Sequence, residues 1–249
     1  MKKILTLFKL PDEVGDKYNN EFVLESPSDS KDFTLEEITE RLPDANAYLG
    51  RVLNREMIDK ACKLEIASSF GAGYDGFDHK YAGEKGIWIM NSPHATTEPT
   101  AELAITLMLC LSRKILNYHN IMKLWGGVRV PSPFVNPFGD EPAPKPIHGK
   151  ILGIVGFGKI GKAVARKANG LGMNVIYYDV YRSPKDIEEN LKVKYVTFDE
   201  LLKTADIVSL HCLYTPEHHH LMDAEQFRMM KPTAFFINAT AFTSCSICI

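Results

Sequence analysis

The stretch KILGIVGFGKIGKAVARKANGLGMNVIYYD, residues 150–179, decides how the rest of the chain is read. Ile151–Val155 is a short apolar run bounded by Gly149 and Gly156, with the length and content of a strand buried on both faces. Gly156, Gly158 and Gly161 follow at G-x-G-x-x-G spacing, and Ala163, Val164 and Ala168 then recur at helical intervals. A second apolar run, residues 175–178, ends at Asp179. Strand, glycine turn, helix, strand and acid stand in the order that a dinucleotide-binding α/β unit requires.

The chemistry explains the spacing. Gly156 permits the tight turn, Gly158 lets the backbone approach a pyrophosphate with no side chain in the way, and Gly161 lets the helix pack closely on the sheet. The loop of Gly156, Phe157, Gly158, Lys159, Ile160 and Gly161 then offers the phosphates the free N–H groups and positive end of a helix. Asp179, at the end of the second strand, is placed to accept hydrogen bonds from the adenosine ribose hydroxyls. Its charge repels a 2′-phosphate, so NAD is expected over NADP, with nearby Arg182 keeping that preference moderate.

At 249 residues the chain suits one large or two modest domains with a buried core. A formal charge of −2 argues against nucleic acid and membrane surfaces as partners. Five cysteines, scattered and odd in number, suggest no disulfide framework. In the opening MKKILTLFKLPDE only residues 4–8 are apolar, too few for a signal peptide and better read as a first strand. No later apolar run reaches membrane-spanning length, and a cytoplasmic protein is expected.

Outward from the decisive stretch, α/β alternation continues in both directions. Toward the N-terminus, strands are expected at residues 4–8, 47–49, 64–67 and 86–90. Thr34 and Asn54 read as helix caps, with Glu37 three residues after Thr34. Such alternation implies a parallel sheet. Residues 98–121 form the longest helical pattern, with Ala104, Leu107, Met108, Leu111 and Ile115 on one face. Residues 126–148 are dense in Pro and Gly, and their interspersed Val128, Val130, Phe134, Val135 and Phe138 suggest an arm packed on a partner subunit rather than a plain linker. Toward the C-terminus, strands are expected at 193–196, 207–210 and 234–237, and helices at 199–204 and 223–230, the last capped by Asp223. Ligands of doubly wound sheets lie beyond the carboxyl ends of the strands, which picks out Gly156, Asp179, His211, Cys212 and Asn238 as one crevice.

Six segments carry a resemblance: ASSFGAGYDGFD (67–78), GIWIMNSP (86–93), TAELAITLMLCLSR (100–113), GKILGIVGFGKIG (149–161), SLHCLYTPEHHHLM (209–222) and KPTAFFINAT (231–240). In this order the chain resembles the D-isomer-specific 2-hydroxy-acid dehydrogenase family, and most of all its glyoxylate and hydroxypyruvate reductases. The resemblance implies an α/β chain of two Rossmann-like or flavodoxin-like parallel-sheet domains, the cofactor domain inserted in the catalytic domain and both incomplete at the C-terminus. Residues 1–98 would be the N-terminal part of the substrate domain, 99–240 the NAD-binding domain and 241–249 a divergent tail. It further implies an NAD-dependent oxidoreductase that reduces small 2-keto acids to D-2-hydroxy acids by hydride transfer. A homodimer through the cofactor domain and the 126–148 arm is expected with it. The backbone N–H groups of Ala72 and Gly73 would bind the substrate carboxylate, which agrees with the unpaired amides that a Gly-rich turn exposes to an anion. Thr100 would approach the nicotinamide end, the His211–Cys212 backbone and Thr215 would border the adenosine, and Asn238, Ala239 and Thr240 would line the nicotinamide.

The match fails after Thr240. Where the family motif carries its Arg and Gly the chain has Ala241 and Phe242, and the family's Glu and His would lie beyond Ile249. That Arg polarises the keto acid and that His donates the proton, so no catalytic residue is assigned here. Impaired catalysis is expected, with a truncated or frameshifted product as its origin, and a non-catalytic NAD-binding protein or an inactive fragment as the alternatives. The run His218, His219, His220 cannot share one helix face and has no acid or Cys at ligand spacing, so no metal is expected. Cys245 and Cys248 have redox spacing but no following helix. Cys212 has no base beside it and reads as a lining residue.

Overall fold

Short apolar runs and capped helices alternate along the chain and build two five-stranded sheets, parallel at every pairing. The computed structural model describes residues 1–18, 20–124, 144–212 and 219–239. They divide into two units, Met1–Thr96 and a second beginning at Thr97.

The first unit runs β1 (Lys2–Thr6), α1 (Asp12–Tyr18), β2 (Phe22–Glu25), α2 (Leu35–Arg41), β3 (Ala47–Gly50), α3 (Arg55–Lys60), β4 (Ile66–Ser69), α4 (His79–Glu84) and β5 (Trp88–Met90). Its sheet order is β2-β1-β3-β4-β5. The expected caps are in place. The Thr34 hydroxyl accepts the Glu37 N–H while the Glu37 carboxylate accepts the Thr34 N–H at 2.8 Å, and Asn54 accepts the Met57 N–H at 3.0 Å. Each such cap stabilises its helix by about 1 kcal/mol. Leu5, Ile38, Leu42, Tyr48, Leu53 and Met57 form the buried centre.

The second unit opens with α5 (Thr97–Arg113) and α6 (Ile115–Leu124). It continues β6 (Ile151–Val155), α7 (Lys159–Gly170), β7 (Asn174–Tyr178), α8 (Lys185–Asn190), β8 (Val193–Tyr195), α9 (Phe198–Thr204), β9 (Ile207–Leu210), α10 (Ala224–Met229) and β10 (Phe235–Asn238). The order β10-β9-β6-β7-β8 places β6 at the centre. Alternate residues feed two cores. Leu152, Ile154, Val175, Tyr177 and Ile207 pack with α5 and α7, whereas Val155, Val208 and Leu210 pack with Leu201 and Leu202 of α9. Burying each such side chain contributes roughly 1.5–3 kcal/mol, so the apolar run after Lys150 is committed to the centre of a two-sided layer.

The long helical pattern is corrected by the structure. It breaks at Lys114, whose φ of 52° is left-handed, and resumes as α6. The buried face also differs, being Ala101, Ala104, Ile105, Met108 and Ser112, while Leu107, Leu111 and Ile115 are exposed. Small residues win that face because α5 packs against Ala165 and Ala168 of α7, where bulk would hold the helices apart. The remaining leucines therefore form a second, solvent-facing stripe of Leu103, Leu107 and Leu111. No helix among the described residues is long and apolar enough to cross a membrane.

Candidate functional site

Strand register aligns the expected crevice residues in the second unit. Val155 of β6 lies opposite both Tyr178 of β7 and Leu210 of β9, and Leu210 lies opposite Asn238 of β10. The residues that follow, Gly156, Asp179, His211 and Ala239, therefore stand in a row along the carboxyl ends of four adjacent strands. Backbone bonds fix the row, with the Gly156 N–H donating to the Tyr178 carbonyl at 2.9 Å and the His211 N–H to the Val155 carbonyl at 2.7 Å.

The three glycines do three different things. Gly156 has φ 92°, and a Cβ there would lie 2.5 Å from the Cys212 nitrogen and 2.6 Å from the His211 carbonyl carbon. No side chain fits. At Gly161 a Cβ would lie 2.3 Å from the Gly156 carbonyl oxygen, so α7 sits directly on the turn. Gly158, by contrast, precedes α7 with no side-chain cap and has nothing within 4 Å of where a Cβ would be. The exposed side of the turn is thus bare backbone leading into the N–H groups of a twelve-residue helix, which fits a pyrophosphate. Phe157 is buried and stacks on Tyr177 with ring centroids 3.9 Å apart, while Lys159 is exposed and Ile160 packs partly on the core.

Asp179 is held by the backbone around it. One carboxylate oxygen accepts the Phe157 N–H at 2.6 Å and the other accepts the Tyr181 N–H at 3.1 Å. Its orientation is fixed in the row where ribose hydroxyls are expected. The Arg182 guanidinium, expected to temper the cofactor preference, is engaged within the protein. Nε and Nη2 donate to the two oxygens of Glu188 at 2.9 and 2.8 Å, and the group lies over the Tyr195 ring. Glu188 is 8% exposed and also accepts from the Tyr177 hydroxyl at 2.6 Å. The Arg182 bonds, with help from Tyr177, hold its carboxyl down to about 2. On the other side of the row, the buried Ser209 hydroxyl meets His211 Nε2 at 2.8 Å, and Nδ1 has no partner among the described residues. Burial lowers the imidazole to about 4 and raises the Cys212 thiol, leaving both neutral near pH 7, so Cys212 is not a reactive thiolate.

The first unit carries a separate loop at the carboxyl end of β4. Gly71 has φ 109°, and the next carbonyls all turn inward. The Ser92 N–H donates to the Gly71 carbonyl at 2.7 Å, the Asn91 side-chain amide donates to the Ala72 carbonyl at 2.7 Å, and the Ser69 hydroxyl donates to the Gly73 carbonyl. With the carbonyls held from within, the amides of Ala72 and Gly73 donate to none of the described residues, a nest suited to a carboxylate. Arg51 follows β3 at the same sheet end, its guanidinium 3.9 Å from the Asp32 carboxylate.

Thr100 lies half-buried in the first turn of α5, a helix that packs on β10. Asn238 ends β10, and Ala239 packs on the core beside it. Thr215, Thr240, Ala241, the 126–143 portion of the expected arm, His218, Cys245 and Cys248 lie outside the described residues. The rings of His219 and His220 stack 3.9 Å apart, and among the described residues no cluster of His, Cys, Asp and Glu could hold a metal. The sequence reading missed Glu188, Tyr177, Asn91, Ser69 and Arg51. Asn91 and Arg51 act through partners far along the chain, Ser69, Tyr177 and Glu188 through partners across a nearby turn, and only Arg51 left a local signal, a cation directly after a strand.

Comparison with known proteins agrees with the fold. The model of the NAD binding domain of D-isomer specific 2-hydroxyacid dehydrogenases matches residues 105–241. A glyoxylate reductase of Korarchaeum cryptofilum is 33% identical over 241 residues, 96% of this chain and 70% of its own. A Staphylococcus aureus sequence with the provisional name 2-hydroxyacid dehydrogenase is 38% identical over 194 residues, 78% of this chain and 59% of its own length. Among solved structures, a protein of Thermus thermophilus superposes with a TM-score of 0.85 at 28% identity, covering 98% of this chain and 75% of that one. The chain therefore spans 59–75% of the length of these relatives. The two parallel sheets, the glycine turn and these matches together place the chain in the D-isomer specific 2-hydroxyacid dehydrogenase family, with that family's NAD binding domain in its second unit.

Proposed function

We propose that the chain binds NAD at the strand ends of its second unit and a small 2-keto or 2-hydroxy acid at the Ala72–Gly73 loop, as part of an NAD-dependent oxidoreductase acting on 2-keto acids such as glyoxylate. The observation that carries this reading is the aligned row of Gly156, Asp179, His211 and Ala239 beside the bare turn at Gly158. Gly158 and the first N–H groups of α7 hold the pyrophosphate, Asp179 accepts from the ribose hydroxyls, and the His211–Cys212 backbone and Thr215 border the adenosine. Thr100, Asn238, Ala239 and Thr240 line the nicotinamide. The nicotinamide supplies the hydride; the chain's residues bind, orient and exclude water. The Ala72 and Gly73 amides orient the substrate carboxylate, and this requires no side-chain charge.

A second reading, NAD binding without efficient turnover, is favoured by Ala241, which stands where the resemblance requires an Arg. Without a guanidinium on the keto acid, turnover falls by roughly two to four powers of ten. We infer a cytoplasmic protein and a homodimer through the cofactor domain and the 126–148 arm; the exposed Leu103, Leu107 and Leu111 of the cofactor domain support the dimer. The test is NADH binding by fluorescence, followed by NADH oxidation with glyoxylate, hydroxypyruvate and pyruvate. Binding with slow or no oxidation supports the second reading, brisk oxidation the first, and an absence of binding contradicts both.

A further inference from the structure

We propose that Glu188 is a positioning residue for cofactor choice, a lock that holds the Arg182 guanidinium away from the nucleotide and so commits the site to a ribose without a 2′-phosphate. The inference rests on the NAD reading of Asp179. Arg182 is three residues beyond that acid, in the turn between β7 and α8, where a guanidinium would be the natural partner of a 2′-phosphate. It is instead forked onto both oxygens of Glu188, at 2.9 and 2.8 Å, with its plane over Tyr195 at 5.4 Å.

The acid half of the lock is anchored in the protein, while the Arg182 side chain is 54% exposed. Glu188 is 8% exposed and accepts a third bond, 2.6 Å from the Tyr177 hydroxyl, which itself accepts the Ser183 N–H at 3.0 Å. Tyr177 is fully buried and stacks on Phe157 of the glycine turn, and the Tyr195 hydroxyl donates to the Asp179 carbonyl at 3.4 Å. The turn carrying Arg182 is therefore tied at Asp179, Tyr181 and Ser183, and Arg182 is tied to the same acid. Pulling the arginine away would leave a nearly buried carboxylate without its cation, which is far costlier than breaking an exposed ion pair. Charge then decides the selection. Arg182 and Glu188 cancel each other, and Asp179 is left as the net charge facing the ribose. Glu188→Gln removes both the second acceptor oxygen and the negative charge, so the fork cannot form and Arg182 becomes an available cation beside Asp179.

The experiment measures NADH and NADPH affinities of the full chain and its variants by fluorescence titration. In wild type NADH is preferred. In Glu188→Gln the NADH-to-NADPH preference narrows at least tenfold, mainly through tighter NADPH binding, and adding Arg182→Ala to that variant removes the gain. Arg182→Lys, which keeps the charge but not the fork, is the second arm and narrows the preference several-fold even if the Glu188 variant does not fold. An unchanged preference in every folded variant overturns the lock, as does an NADPH gain that survives loss of Arg182. A wild-type chain that binds neither nucleotide overturns the cofactor reading itself, an outcome distinct from NADH binding with an unaltered preference.

Discussion

The glycine turn of the second unit and the Ala72–Gly73 loop of the first both expose backbone amides at the carboxyl end of a parallel sheet, yet they are held open by opposite means. In the turn, backbone packs on backbone, and a Cβ at Gly156 or Gly161 would lie 2.5 Å or less from a main-chain atom. In the loop, side chains do the holding, with Asn91 and Ser69 drawing carbonyls inward so that the amides face out. The first device excludes every residue but glycine at fixed spacing. The second asks only for donors of the right reach, Ser69 from the strand before the loop and Asn91 from beyond the neighbouring strand. Rigidity at the first site is therefore a property of the local sequence, and at the second a property of the tertiary fold.

The sharpest way to break this contrast is within the turn. Gly156→Ala drives a Cβ into the His211–Cys212 backbone at positive φ and is expected to abolish NADH binding and cost at least about 2 kcal/mol of stability, read by thermal unfolding. Gly158→Ala meets none of the described residues, so its melting temperature should stay near wild type. Its NADH affinity should nevertheless fall by about tenfold or more, because the methyl occupies the approach of the pyrophosphate. Equal destabilisation by the two alanines would contradict the separate roles given to these glycines.

The loop should respond more gently. Asn91→Ala releases one carbonyl while Ser69 and Ser92 keep the other two, and glyoxylate affinity is expected to drop about fivefold to tenfold with NADH affinity unchanged. Calorimetric titration of each ligand separates the two effects.

Acid sharpens the comparison further, because the two sites differ in titrating groups. His211 is lowered by burial from 6.5 to about 4, so as pH falls the unfolded chain takes up its proton first. This group's contribution is complete above pH 6.5 and is lost down to about pH 4, by about 3 kcal/mol at most. Glu188, lowered to about 2, contributes fully above its ordinary value of 4.5 and loses that contribution only as pH falls from there toward 2. Thermal unfolding across pH 7.5 to 4.5 should show the His211 decline, and His211→Gln should flatten it. The loop's clamps, Ser69, Asn91 and the Ser92 amide, carry no titrating group and give no reason for a change in the same window.

How much of this was legible in the sequence follows from the same physics. The central strand, the three glycines and Asp179 could be read because each role demands one residue type at one spacing. Thr34, Asn54 and Asp223 could be read because capping is local. Helix α1 escaped notice because it buries no residue and so leaves no apolar period. The face of α5 was misjudged because the fit against α7 favours Ala101 and Ala104 over larger leucines, a choice made by the neighbouring helix. The pairing of Arg182 with Glu188 was not legible, because the acid lies six residues on, across a turn whose path the sequence does not disclose.

The most direct test of the account is calorimetric titration of the full chain with NADH, repeated with Asp179→Ala. The account predicts saturable one-to-one binding with a Kd below about 1 mM, weakened about tenfold or more by loss of the acid. No binding by the wild-type chain, or equal binding by the variant, would contradict the assignment of the strand-end row as the nucleotide site.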